Sequence, residues 1–294
     1  MHNATISRKI FLIFNNLLMA LVVVTCLFPI MNLLAVSLSS GSAADAGLVG
    51  FFPVRFTVQA YIETFYRPEF WRALIVSVQR VGLGLFINLS LTILLAYPLS
   101  KKKEEFWGRS FYMGMFMVCM IFSGGMIPLF ITISQLRLID TMWALILPGS
   151  VNFMLALLLM NFFRGVPKEL EEAAFMDGAS HLRALITIYI PLSLPALATL
   201  TIFIVMGHWN DYFGGMLYLN SPEKYPLATY LQRLIRVVDL SRLTAEEMMI
   251  LLDRVSGRTS KAAQTFITIL PILLTYPFLQ KYFVKGLFRG GIKG

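Results

Sequence analysis

Residues 171–195 read EEAAFMDGASHLRALITIYIPLSLP. The stretch joins an acidic, alanine-rich head to an apolar tail that carries no charge after Arg183. Pro167, just upstream, suits the first position of a helix: its fixed φ is helical, and its missing N–H is a donor that a helix start leaves unpaired anyway. Glu169, Glu171 and Glu172 then fall in the first turns, where carboxylates favour the helix dipole. Leu170, Ala173 and Ala174 are spaced i, i+3, i+4 and share one face, small enough for close approach to a partner. Gly178, next to Asp177, fits the left-handed position that ends such a helix, and Ser180 can cap the next one. The expectation is a short helix, a glycine corner, and a second helix running into an apolar segment from about Ala184. Two readings stay open here. One is a solvated helix-turn-helix between apolar segments; the other is a protruding helix that seats in a groove of a partner protein.

The apolar tail is one of six such segments, at about 10–38, 73–99, 111–131, 142–163, 184–207 and 264–284. Each is near or above the roughly 20 residues that cross a bilayer as a helix, and in lipid a helix satisfies its own backbone. The chain is 294 residues long, 57% hydrophobic and 14% charged, with a mean hydropathy of +0.71. Soluble domains average about 25% charged residues. The fold class expected is therefore an all-α membrane protein of about six transmembrane helices, a single domain over residues 1–294. The first segment follows Arg8 and Lys9 and outruns the roughly 7–15 apolar residues of a signal peptide. Although Ala43-Ala44-Asp45-Ala46 resembles a cleavage site, an uncleaved first span is expected.

The net charge of +9 reads as basic cytoplasmic loops; no nucleic-acid-binding motif accompanies it. Lys and Arg are densest in the first nine residues, in 101–109, in 164–183 and in the tail with Lys281, Lys285, Arg289 and Lys293. That pattern predicts both termini on the cytoplasmic side, with residues 39–72 and 208–263 as long outer loops. Within the latter, Leu231, Leu234 and Ile235 recur at helical spacing, as do Met248, Leu251 and Leu252. They form amphipathic helices that either pack on the spans or dock another protein. Cys26 and Cys119 lie inside apolar segments and are expected as small core residues, since neither has a metal-ligand or disulfide spacing.

Several chemistries lack their residues. The spans carry almost no acids, where ion-coupled carriers keep one. The three histidines, His2, His181 and His208, form no HExxH, and no glycine precedes a lysine, so there is no P-loop. No catalytic residue, metal ligand or cofactor of the chain's own is expected. An ion-coupled secondary transporter, or a membrane-embedded enzyme or receptor, remains an alternative.

Glu172-Ala173-Ala174, then Gly178, then Ile188 and Pro191 resembles the EAA motif of binding-protein-dependent ABC importer permeases. That pattern reads EAA, any three residues, Gly, any nine, Ile, any one, Leu-Pro; this sequence has Ile190 where the pattern has Leu. The phrases SGGMIPLF, FFRGVPKELEEAA, IPLSLPALAT, HWNDYF and the ending QKYFVKGLFRGGIKG are similar to the carbohydrate-importer branch, the relatives of maltose permease subunits. Importers of alginate and other complex oligosaccharides are close to it.

The resemblance implies a type I importer permease fold in the bacterial inner membrane, with the segment at about 167–183 as a cytoplasmic coupling helix. It implies a second, different permease subunit, a cytoplasmic ATPase dimer holding ATP and Mg, and an extracytoplasmic solute-binding protein. Carried over, Glu172 makes polar contact with the ATPase, Ala173 and Ala174 allow close packing, and Asp177, Gly178 and Ser180 form the corner. Asn88, Asn152 and Asn161, with Ser77 and Gln79, are candidates for the substrate path; each can instead hydrogen-bond between helices. In HWNDYF, Trp209 and Tyr212 offer faces for sugar rings, while Asn210 and Asp211 can bond hydroxyls. The same two aromatic residues also suit interfacial anchors. Residues 211–225 are expected to probe the binding protein.

Overall fold

A computed structural model describes residues 6–235 and 257–290. Among them the regular structure is helical, with no strand. Two helices are long and apolar enough to cross a membrane: α1 (Ile6–Ser37) and α4 (Pro68–Ser100). Between them lie α2 (Gly41–Asp45) and α3 (Gln59–Tyr66). Three further bent helix pairs are apolar enough to be spans when each is counted as one, which gives up to five among the described residues. The sixth expected segment, 264–284, lies within the final helix, Arg258–Gly290.

The bends have visible causes. Helix α5 (Arg109–Ile121) and α6 (Met126–Gln135) meet at 112°. Ser123-Gly124-Gly125 separates them, and Gly125 takes φ +83, a left-handed conformation that stops a helix. Helix α7 (Trp143–Ile146) continues as a 3-10 turn, Leu147–Gly149, and meets α8 (Phe153–Arg164) at 51°. Next come α9 (Lys168–Met176), α10 (His181–Ala184), a π-turn at Leu185–Tyr189 and α11 (Ile190–Leu192). The segment then turns through 84° into α12 (Leu194–Asn210). The turn falls at Ser193, between Pro191 and Pro195. Pro191 removes an N–H donor from the ladder, Pro195 suits the first turn of α12, and the π-turn precedes the first of them. Helices α13 (Phe213–Tyr218), α14 (Leu227–Ile235) and α15 (Arg258–Gly290) complete the order.

The chain divides into two units, Met1–Phe70 with Arg233–Leu270, and Trp71–Gln232 with Pro271–Gly294. In the first, Val36, Ala44 and Ala262 form a small core. Asn32 Nδ2 donates to the Gly50 carbonyl at 2.8 Å, Ser37 and Tyr61 share a hydroxyl hydrogen bond of 2.8 Å, and Ser260 Oγ donates to Glu63 at 3.0 Å.

The second unit holds the main core. Ala156, Leu159, Met160 and Phe163 of α8 are buried at i, i+3, i+4, i+7, one stripe of the helix. Against them pack Ala96 and Leu99 of α4, Leu185 and Tyr189 of the π-turn, and Ala196, Leu197 and Leu200 of α12. In lipid such packing rests on van der Waals fit rather than on exclusion of water, which explains the small residues at the contacts. The outward surfaces stay apolar: no residue in the most apolar window of α1 is buried. Cys26 and Cys119 are exposed, contrary to the expected core positions. Each lies on an outward face of an apolar helix, where a small thiol needs no partner.

Leu227 and Leu231, in the part of α14 that belongs to the second unit, are buried, so that part of the amphipathic helix packs on its own unit. Met248, Leu251 and Leu252 lie outside the described residues.

Candidate functional site

The acidic segment folds much as its sequence directs, with one shift of register. Pro167 precedes the first turn of α9 instead of opening it, with φ −57 and ψ 131. Gly178 takes φ +79, and Ser180 Oγ accepts from the Arg183 N–H at 3.3 Å as the cap of α10. Glu172, Ala173, Asp177, Gly178 and Ser180 are exposed and Ala174 is half-buried. Leu170 is exposed beside Ala173, so the small face of α9 is open to solvent at these two positions and partly covered at Ala174.

The neighbouring acid has a different environment. Glu171 is 7% exposed and forms an ion pair with Lys101, itself buried. Tyr189 Oη donates to Glu171 Oε2 at 2.7 Å, Tyr97 Oη donates to Oε1 at 3.3 Å, and Lys101 Nζ donates to Tyr189 Oη at 3.0 Å. The ammonium also sits 4.2 Å from the centre of the Tyr97 ring and 4.4 Å from that of Tyr189. Burial works against the Glu171 charge, but the hydrogen bonds from Lys101 and Tyr189 outweigh it and hold the carboxyl below its ordinary range. This cluster was not anticipated from the sequence. It ties α9 to the end of α4 and to the π-turn ahead of α12.

A second group of polar residues lies among the apolar helices. A cavity of about 440 Å³ is lined by Arg80, Asn88, Asn152, His208 and Asp211 among others. Arg80 Nη2 meets Asp211 Oδ2 at 2.5 Å, and its Nη1 donates to the Asp211 carbonyl at 2.9 Å. Asp211 Oδ1 accepts from Gly214 N at 2.9 Å and thereby fixes the start of α13. Asn88 Nδ2 faces both the Gly149 carbonyl at 3.3 Å and His208 Nε2 at 3.1 Å. The carbonyl can only accept, so the Asn88 amide donates, and His208 Nε2 is then the unprotonated nitrogen of a neutral ring. A Cβ at Gly84 would fall on that ring, so only glycine lets His208 cross α4 here. Asn88 Oδ1 and Arg80 Nε are buried without a hydrogen-bond partner among the described residues.

Of the candidate path residues, the fold brings Asn88, Asn152 and Asp211 to this cavity. Asn152 also caps α8 by accepting from Leu155 N at 3.3 Å. Asn161, Asn210 and Tyr212 are exposed, Trp209 is buried, and none of the four lines the cavity. Ser77 Oγ accepts from Leu227 N at 2.7 Å, a structural bond, and Gln79 is exposed. Arg80 and His208 were not singled out from the sequence. Arg80 had a signal, since it is a lone cation inside an apolar segment; His208 had none beyond its place at the end of one. Among the described residues no three His, Cys, Asp or Glu side chains form a metal-holding group.

The loop at 211–225 is clamped. Asp140, at φ +60, accepts from Asn220 N and Ser221 N at 3.0 Å, from Ser221 Oγ at 2.7 Å and from Lys224 Nζ at 2.6 Å. Hydrogen bonding from Lys224 and Ser221 holds its carboxyl far below the ordinary value of 3.8. A depressed folded value gives stability that is complete above the unfolded value and is lost as the pH falls through the folded one. Asp140→Asn is therefore expected to lower the thermal midpoint at neutral pH. The gap to the wild-type protein should narrow as the pH falls below about 4, which thermal melts at a series of pH values will test. A gap that stays constant with pH would rule the clamp's charge out.

Residues 82–289 match the family described as binding-protein-dependent transport system inner membrane component. Over its whole length the chain is 36% identical to the protein LplC of Bacillus subtilis, covering 98% of it. It is 35% identical to the polygalacturonan/rhamnogalacturonan transport system permease protein YtcP of the same organism, over 96% of this chain and 97% of that one. Among solved structures it is similar to a chain of a bacterial ABC transporter involved in the import of the acidic polysaccharide alginate. The TM-score is 0.85 and the identity 32%, over 96% of this chain and 100% of that one.

Proposed function

Because the chain belongs to the family of binding-protein-dependent transport system inner membrane components, we propose that it is the permease subunit of an ATP-driven importer of oligosaccharides, acidic ones among them. It is a multi-pass membrane protein with the helical type I importer permease fold. The observation that carries the substrate class is its end-to-end likeness to permeases named for polygalacturonan and alginate. In this reading the chain has no catalytic activity; ATP and Mg belong to a separate ATPase dimer, substrate comes from an extracytoplasmic binding protein, and a second, different permease subunit completes the path. Both termini lie in the cytoplasm of a bacterium.

The mechanism follows from how α9 is held. Its open face, with Glu172, Ala173 and Ala174, is offered to a cleft of the ATPase, and Asp177, Gly178 and Ser180 make the corner that aims it. When the ATPase closes, the displacement of α9 reaches the membrane through Glu171, which is bonded to Lys101 at the end of α4 and to Tyr189 ahead of α12. Those two helices also carry Asn88 and His208 of the cavity. A rigid-body shift of this kind alternates the cavity between two states, each stabilised by different partners.

Co-purification tests the coupling. Glu172→Lys reverses the charge at the docking contact and is expected to remove the ATPase from the purified complex. Gly178→Pro should do the same, because proline cannot reach φ +79. Uptake of labelled oligosaccharide that ignores ATP and follows a proton gradient would instead make the chain an ion-coupled carrier.

A further inference from the structure

The ends of α4 and α8, the start of α5 and the first turn of α9 enclose a cavity of about 340 Å³. Five cations line it: Lys101, Lys102, Arg109, Arg164 and Lys168. Two carboxylates line it as well, and both are engaged: Glu171 by Lys101, and Glu105 by Lys168 at 2.8 Å. Lys102, Arg109 and Arg164 are left over, and the two arginines lie side by side on one carbonyl. Arg109 Nε donates to the Leu99 carbonyl at 3.0 Å, and Arg164 Nη2 donates to the same oxygen at 3.4 Å. Neither forms an ion pair among the described residues. One peptide carbonyl is a modest counterweight to two guanidiniums. A cation at a helix C-terminus is favourable, but a second beside it repels the first unless an anion joins them.

The level of the cavity is fixed by what surrounds it. Helix α4 ends at Ser100, α5 begins at Arg109 and α8 ends at Arg164. These are the ends of apolar helices, where hydrocarbon gives way to headgroups. Trp107 is 91% exposed in the connecting loop, and tryptophan anchors at this depth. The planar forks of two arginines match the oxygens of a phosphate group, and basic pockets between membrane helices take phospholipid headgroups.

The geometry points to a binding site for a phosphate group, held between Arg109 and Arg164 with Lys102 at its rim and filled in the membrane by an anionic phospholipid. Such a lipid bridges the ends of α4, α5 and α8 beside the coupling segment. The site stands on span ends and charges, whatever solute the protein moves.

The test is native mass spectrometry of the full-length protein in its native assembly, with phosphatidylglycerol or phosphatidylcholine added. Phosphatidylglycerol should be retained and phosphatidylcholine washed away. Arg109→Gln with Arg164→Gln should weaken retention roughly thirtyfold, and Lys102→Gln, at an exposed position, roughly fivefold. Arg109→Lys with Arg164→Lys should recover most of it, which separates lost charge from lost folding. A parallel arm adds millimolar inorganic phosphate without lipid and follows the thermal midpoint. Stabilisation by phosphate in the wild type but not in the double glutamine variant, with no lipid preference, keeps the phosphate site and assigns it to a soluble ion. Equal retention of the two lipids together with no response to phosphate overturns the site.

Discussion

Glu171→Ala should destabilise the protein by about 3–5 kcal/mol, the range for removing one partner of a buried ion pair. The cost arises because Lys101 is left behind as a buried ammonium, 8% exposed, with the Tyr189 hydroxyl and two aromatic faces as its remaining partners among the described residues. The cation–π contacts offset part of this, at about 1–2 kcal/mol. The double variant Glu171→Leu with Lys101→Met should recover much of the stability, since replacing a buried pair by apolar groups is often neutral. It should not recover transport, because α9 then lacks its bonds to Tyr97 and Tyr189. Thermal melts and ATP-driven uptake of both variants separate the two roles. Full uptake by the stable double variant would show that the pair is a folding element and that the thrust travels by another route.

The second large effect concerns Arg80 and Asp211, and it is asymmetric. The Arg80 side chain is 2% exposed and that of Asp211 is 36% exposed. Asp211→Ala leaves a guanidinium inside the fold with backbone carbonyls as its only remaining acceptors and also frees the Gly214 N–H, so about 3–5 kcal/mol should be lost. Arg80→Met leaves a carboxylate that water reaches and that still binds Gly214, and the thioether chain fills the space; a loss of about 1 kcal/mol is expected. Chemical or thermal unfolding of the two single variants in detergent gives the comparison directly. Equal losses would mean that Arg80 is hydrated in the membrane and that the cavity is wide open to water.

The legibility of these features in the sequence varies by residue. Gly178, Ser180 and the apolar segments could be read because each obeys a local rule: a left-handed corner, a cap and a length. Glu171 could not be told from Glu172. Both are acids in one turn, and only the packing of α9 against α4 buries the first and leaves the second outside. Lys101 looked like any loop lysine in a basic run, since its partner lies 70 positions away. The breaks at Ser123-Gly124-Gly125 and at Ser193 were written in glycine and proline, although apolar content alone made each segment look continuous. Arg80 carried a signal that was not used, a lone cation inside an apolar segment, whereas its partner Asp211 sits just past the end of a span and looks like loop. The long register from Asn88 to His208, 120 positions, has no local trace except Gly84, whose need appears only once the imidazole is in place.

The bonds from Glu171 to Lys101 and Tyr189 bear on engineering by exchange. A chimera that transplants only residues 167–183 between permeases carries the outward face of α9 and leaves its fastening behind. On the proposed coupling role, the grafted helix is expected to bind its ATPase without driving transport. The exchangeable part in that reading is discontinuous: the end of α4 with Tyr97 and Lys101, the acidic segment, and the π-turn through Tyr189, which the contacts of Glu171 join.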